Sequence, residues 1–276
     1  APTPVSAYLH SATMVKAGVY LVARLAPMFA LTGSWRALVI VVGATTMLIG
    51  GLRALRQHDL KLLLAYGTVS QLGFMMLLFG VGEYHIAEAG IVLILAHGLF
   101  KAALFMVVGI VDHETGTRDI RELHGFGSVT GWRVVKVVAV VSAASMAGLP
   151  PLFGFIAKEK ALDGYVEYGD FAGGTVALVV IVLASILTFA YSARFVLGVF
   201  GAFGEPNRAV VSADAHAPSA LFVGPSVVLA TATVLFGVAP ALINGLVEGA
   251  TIALYPGSKP KPVELFAGFN TALLLS

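Results

Sequence analysis

Cysteine is absent from all 276 residues, which excludes disulfides and thiol chemistry and leaves the redox compartment open. Charge is scarce as well. Charged side chains make up 12% of the chain, against roughly a quarter in soluble domains, while 58% of residues are hydrophobic. The net charge of +2 is too small to argue for nucleic acid or another acidic partner. No Gly-rich phosphate loop, nucleophile elbow or haem-ligand pair stands out, so no cofactor and no catalytic constellation is expected. The link from Asp112 to Arg121, with His113 and His124 near it, matches no metal-ligand spacing and reads as a solvated loop. A signal peptide is missing too: the chain opens at Ala1 on Pro2-Thr3-Pro4 with no charged leading segment. It stops at Ser276 just as Phe269 to Leu275 begins another apolar stretch, and the expectation is a fragment of a longer membrane protein.

What is present is apolar sequence long enough to cross about 30 Å of hydrocarbon, again and again. The expected fold is all-α, a polytopic transmembrane helix bundle of about seven spans. The first runs from Pro4 to Leu25, with Thr3 as N-cap, and the second from Ala37 to Leu55. The third covers Leu62 to Val81 and the fourth Ile86 to Val111. A fifth begins at Val134, is interrupted at Gly148-Leu149-Pro150-Pro151 and resumes toward Lys158. The sixth runs from Gly174 to Phe200 and the seventh from Leu221 to Ala239. Arg53, Arg56 and Lys61 cluster between the second and third spans, and Arg118, Arg121, Arg133 and Lys136 between the fourth and fifth. By the positive-inside rule both loops are cytoplasmic, although Arg36, Lys158 and Lys160 fall on the other side. Asp59 and Lys61 read as topology markers.

Inside the fourth span lies a lysine. Lys101 stands ten residues after Ile91 and nine before Ile110, and His97 precedes it by four, on the same helical face. A lysine at the centre of a bilayer helix costs about 2.5–3.5 kcal/mol on insertion scales. The bland reading is a snorkelling lysine beside a histidine that only packs. Its depth argues instead for a charge facing a partner, a wet cavity or an ion path. His10, with Ser6 and Thr13 on a thin polar stripe of the first span, is a proton carrier or a packing hydrogen-bonder. Lys16, six residues on, rotates to a different face and is a candidate to pair with a carboxylate elsewhere.

The break in the fifth span is a further clue. Pro150 and Pro151 remove backbone donors, which is tolerated at depth where the chain lines a cavity or is buried in protein. Discontinuous helices of this kind recur at transporter ion sites. Lys158, after the break, marks either such a site or the far membrane surface together with Glu159 and Lys160.

These segments carry a resemblance. The run from Pro2 to Tyr20 is similar to the hallmark helix of the antiporter-like subunits of respiratory complex I and of Mrp-type sodium/proton antiporters. Asp59-Leu60-Lys61 leading into Leu64-Ala65-Tyr66-Gly67-Thr68-Val69-Ser70-Gln71-Leu72-Gly73, then His97 to Phe105, then Gly148 to Glu159, match in order. Asp112 to Asp119 and Ser11 to Lys16 resemble the A-type large subunit of the Mrp antiporter more than a complex I subunit.

The resemblance implies proton and cation translocation along a polar axis of His10, His97, Lys101 and Lys158, with Lys16, Ser6, Pro150 and Pro151 as further candidates. It implies the second half of an inverted-repeat core, with one five-helix repeat over residues 37–200. It also implies H+ and Na+ or another monovalent cation as cargo, other integral membrane subunits as partners, and a bacterial plasma membrane as the location. Some family members carry a second histidine where this chain has Leu93, and the family's essential glutamate and partner lysine lie upstream of Ala1. Two rivals stay open: a proton-pumping subunit of complex I or a membrane-bound hydrogenase, and a membrane enzyme or scaffold that uses these residues for packing.

Overall fold

The computed structural model describes residues 3–123, 131–201, 217–266, 268 and 271–275. Among these residues the structure is helical, and the single β-contact is an isolated bridge between Asp59 and Asp119. The helices are α1 (Thr3–Ser11), α2 (Lys16–Phe29), α3 (Gly33–Leu55), α4 (Leu60–Gly80), α5 (Tyr84–Thr115), α6 (Arg133–Ala147), α7 (Phe153–Tyr168), α8 (Gly174–Phe200) and α9 (Ala220–Val238). A 3-10 turn (Pro240–Ile243), α10 (Asn244–Leu254) and α11 (Thr271–Leu275) follow. Among the described residues six spans are long and apolar enough to cross a membrane, α1 with α2 counting as one. Between α5 and α8 runs the pair α6–α7, helices of 15 and 16 residues broken between Ala147 and Phe153.

The helix α5 is the axle of the bundle. It packs against α1, α4, α6, α7, α9 and α10, and its apolar side chains from Ile86 to Val111 are largely buried all round. A helix hydrophobic on every face belongs in the middle of other helices. The outer helices carry exposed apolar side chains instead, with Leu38 and Val41 on α3, Ile186 and Phe189 on α8, and Val228 on α9.

At one end the two basic loops fold onto each other. Leu60 donates its N–H to the Arg118 carbonyl and Ile120 to the His58 carbonyl, each at 3.0 Å. Arg118 bridges Asp59 at 3.3 Å and Asp112 at 3.6 Å, so the expected solvated link is a tied clasp. Asp59 also caps α4, accepting from the Leu62 amide at 3.0 Å. His124 lies outside the described residues. At the opposite end Trp35 and Arg36 donate to the carbonyls of Gly80 and Val81, at 2.8 and 2.9 Å.

The first span is not one helix. Between Ser11 and Lys16 the ladder tightens to i→i+3 bonds, Lys16 N–H to Thr13 O at 3.1 Å and Ala17 N–H to Met14 O at 3.3 Å. The Ser11 hydroxyl bonds back to the Ala7 carbonyl and the Thr13 hydroxyl to the Tyr8 carbonyl, and such hydroxyls compete with the helical ladder. Pro27, expected beyond the helix end, sits inside α2.

In the fifth span the sequence pattern holds. α6 closes on Gly148, whose φ of +86° is left-handed, with the Gly148 and Leu149 amides bonded to the Ala144 carbonyl at 3.0 and 2.9 Å. α7 restarts at Phe153, where the Gly154 N–H finds the Ser145 hydroxyl across the break at 3.0 Å. Pro150 and Pro151 themselves are exposed, so they shape the break without lining a buried cavity.

Candidate functional site

Three lysines are buried in the bundle, and each donates to a backbone carbonyl oxygen. Lys101 is fully buried, and its Nζ donates to the Leu64 carbonyl of α4 at 3.1 Å. Lys16 donates to the Ile94 carbonyl of α5 at 2.9 Å. Lys158 donates to the Ala147 carbonyl, the last residue of α6, at 2.6 Å. None of the three makes an ion pair among the described residues. A buried cation without a counter-ion is expensive, and the carbonyls offset only part of that cost.

The room for Lys101 is built by α4 and α8. A Cβ on Gly67 would lie 3.0 Å from its Nζ and 3.2 Å from the Tyr191 ring, so only glycine leaves the pocket open. The Tyr191 ring centre stands 6.0 Å from the ammonium. Its hydroxyl is held within a small polar group, donating to Thr188 at 3.3 Å and accepting from Gln71 at 3.4 Å. Leu64 O serves twice, accepting also from the Thr68 hydroxyl at 2.9 Å.

His97 lies one turn before Lys101 and is fully buried, with neither ring nitrogen in a well-formed hydrogen bond. The Ser11 carbonyl is close enough to accept weakly from it, and Lys16, Lys101 and His10 all stand within coulombic reach. His10 stacks on Phe105 of α5 with ring centres 5.4 Å apart and planes inclined by 17°. Ser6 is buried on the same helix.

Lys16 is where the structure departs from the sequence reading. The interrupted helix turns it back onto α5, so that it joins the His97 face. A Cβ on Gly98 would meet its Nζ at 3.7 Å and the Ser11 carbonyl at 3.9 Å. His10, Lys16, His97 and Lys101 therefore form one cluster where α1, α2, α4 and α5 meet. Lys158 stands apart, under the break of α6–α7.

Sequence reasoning did not single out two buried acids. Glu88, at the start of α5, is paired with Lys160 at 2.9 Å and is almost fully buried. Glu159 is 4% exposed, and its Oε1 has no hydrogen-bond partner among the described residues. Glu88 falls three residues before the apolar run that drew attention to Lys101, and the same search for intramembrane charge extended by one turn finds it.

Residues 1–188 match the family described as NADH:quinone oxidoreductase/Mrp antiporter, transmembrane. The chain belongs to this family. It is 42% identical to the Na(+)/H(+) antiporter subunit A1 of Staphylococcus haemolyticus, with 99% of this chain covered, and 38% identical to the subunit of that name from Staphylococcus epidermidis. The chain spans 36% of the length of those relatives. Among solved structures, the Mrp complex from Dietzia sp. superposes with a TM-score of 0.88 at 38% identity, covering all of this chain and 29% of that one. Respiratory complex I from Thermus thermophilus superposes with a TM-score of 0.71 at 25% identity, covering 88% of this chain and 50% of the other. The family and the all-α membrane fold expected from the residues are thus the observed ones.

Proposed function

We propose that this chain is part of the proton-translocating membrane domain of a multisubunit monovalent cation/proton antiporter in a bacterial cell membrane. It is read as a transporter subunit, not an enzyme. The carrying observation is the cluster of buried Lys16, His97 and Lys101 with half-buried His10: two lysines on backbone carbonyls and two titratable rings, with no carboxylate ion-paired to them among the described residues. Sodium as the exchanged ion, and other integral membrane subunits as partners, are supported by the names of the relatives. The helices α3, α4, α5, α6–α7 and α8 would form one five-helix repeat, residues 37–200, with the clasped basic loops at the cytoplasmic face.

The mechanism follows from like charges in a poor dielectric. Two cations one helical turn apart, ~6 Å, repel by about 3 kcal/mol at an effective dielectric constant of about 20. That exceeds a hundredfold in occupancy, so His97 and Lys101 do not hold protons together. A proton arriving at one drives the other off. His97, with both nitrogens uncommitted, can accept on one side and donate on the other. Lys16 sets the field on its outer flank, and Lys158 receives the charge at the break of α6–α7. The similarity to a respiratory complex is lower than that to antiporter subunits, which favours the antiporter over a redox-driven pump.

In the full-length protein with its partners, Lys101→Ala and Lys158→Ala should each reduce cation-dependent proton movement in everted vesicles at least tenfold, with assembly unchanged. Wild-type exchange in both variants would remove these lysines from the path.

A further inference from the structure

At the end of the bundle that carries the clasped loops, a cavity of about 400 Å³ opens between the end of α3, the clasp and α8. Its polar lining is His58, Arg121 and Arg194, with no carboxylate among the described residues, and the rest is apolar, Leu55, Ala193 and Leu197 included. The acids of the clasp are engaged elsewhere: Asp59 and Asp112 pair with Arg118, and Asp119 with Arg121. Arg194 makes no ion pair among the described residues.

One edge of Arg194 is nevertheless fixed. Its Nε and Nη2 donate to the Gln57 carbonyl, both at 3.3 Å, and Nη2 also meets His58 Nδ1 at 3.2 Å. A guanidinium can only donate, so Nδ1 accepts, and the proton of the neutral ring is assigned to Nε2. Arg194 Nη1 and His58 Nε2 are then donors with no hydrogen bond among the described residues. A held guanidinium with a free edge suits a phosphate, whose ionised oxygens only accept.

The place in the bilayer says which phosphate. α8 has 27 residues, about 40 Å, so its ends pass the ~30 Å hydrocarbon core. Arg194 stands six residues before the C-terminal end of α8, close to that boundary, and reaches out to the turn between α3 and α4. From there Leu197, Ala193, Ala190 and Ile186 follow one another at spacings of four, three and four along one face of α8. Leu197 is 44% exposed and Ile186 62%, while the two alanines between them keep the face low. That face is a track for a hydrocarbon chain.

We propose that this cavity seats one anionic phospholipid, with its phosphate on Arg194 and His58 and one acyl chain along the Leu197–Ile186 face of α8. A zwitterionic lipid would bring its own cation beside Arg194 and Arg121, and a free phosphate would leave the apolar track unused. A lipid seated there ties the α3–α4 turn to α8.

The test is photolabelling of the full-length protein, purified with its partner subunits and placed in phosphatidylcholine nanodiscs. The probe is phosphatidylglycerol with a diazirine on one acyl chain. Label on residues 186–197 should exceed that from a phosphatidylcholine probe with the same chain by about fivefold, the selectivity one basic residue supplies at a membrane surface. Unlabelled phosphatidylglycerol should compete, and millimolar inorganic phosphate should not. Arg194→Gln should lower the label at least threefold. Ala193→Phe keeps every charge and fills the track, so it should act alike even if Arg194→Gln does not assemble. Equal labelling by the two probes marks ordinary surrounding lipid and overturns the proposal. Loss of label to phosphate, which marks a free-anion site, overturns it as well. So does an unlabelled α8, with a partner helix or another part of the chain in the groove, and so does label unchanged in the variants.

Discussion

Lys101 keeps its place because a glycine faces it. Replacing Gly67 by alanine puts a methyl group 3.0 Å from Nζ and 3.2 Å from Tyr191, with little slack in a buried pocket. The ammonium must then give way by a few tenths of an ångström, which strains its bond to the Leu64 carbonyl. Gly67→Ala should assemble normally yet lower proton movement about tenfold in everted vesicles, while Gly18→Ala, which meets nothing within 4 Å, should leave it unchanged. Gly148 is constrained twice over, by its φ of +86° and by Lys158, whose Cδ would lie 2.5 Å from an added Cβ. The left-handed backbone alone costs a non-glycine residue about 1–2 kcal/mol. Gly148→Ala should therefore lower the thermal midpoint of the purified protein and weaken transport, and Gly148→Asn, better suited to that backbone, should fare no better in transport because its side chain still meets Lys158.

The elements place these residues by being interrupted. Had α1 and α2 formed one helix, Lys16 would point away from His97; the 3-10 turn over residues 12–15 brings it round. Had α6 run on into α7, Lys158 would have no free carbonyl beneath it, since Ala147 O is available only because the ladder ends there. The clasp at the basic end is a third such element. Arg121 donates to Asp119 through Nε at 2.9 Å and through Nη2 at 2.5 Å, and these hydrogen bonds hold the Asp119 carboxyl below the usual carboxylate range. The sign follows: a folded value below the unfolded one stabilises the clasp at pH above the ordinary carboxylate range. That stabilisation fades as pH falls through the lowered folded value. Hydrogen exchange at the Leu60 and Ile120 amides should be slow at neutral pH and several-fold faster in Asp119→Asn. In the native protein the same loosening should appear only on strong acidification.

At the scale of the whole molecule, charge is sorted by end. One end holds the clasped basic loops; the other holds Glu88, Lys160, Glu167 and Lys261 in paired and acidic surroundings. These 276 residues carry no cysteine, so a thiol introduced among them is read against the unsubstituted protein as the blank. His113→Cys, at a side chain 72% exposed, should react with a membrane-impermeant maleimide in everted vesicles and not in right-side-out ones. Lys259→Cys, exposed between α10 and α11, should show the reverse. Labelling of both from one side would refute the topology read from the loop charges.

What the chain determined unaided was its class and most of its spans, since apolar length and scattered lysine are local properties that a bilayer reads one helix at a time. The break at Gly148–Pro151 was legible for the same reason: two prolines and a glycine act on their own backbone. The depth of Lys101 and its stacking with His97 follow from spacing along a single helix. Tertiary structure alone decided the rest. Lys16 joined the cluster because hydroxyls of Ser11 and Thr13 diverted a ladder whose residues otherwise read as helix. Glu88 met Lys160, and Glu159 Oε1 was left without a hydrogen-bond partner among the described residues, because α5, α7 and residues 260–264 come from distant parts of the chain. Which carbonyl receives a buried ammonium depends on where a neighbouring helix lies, and no local pattern encodes that.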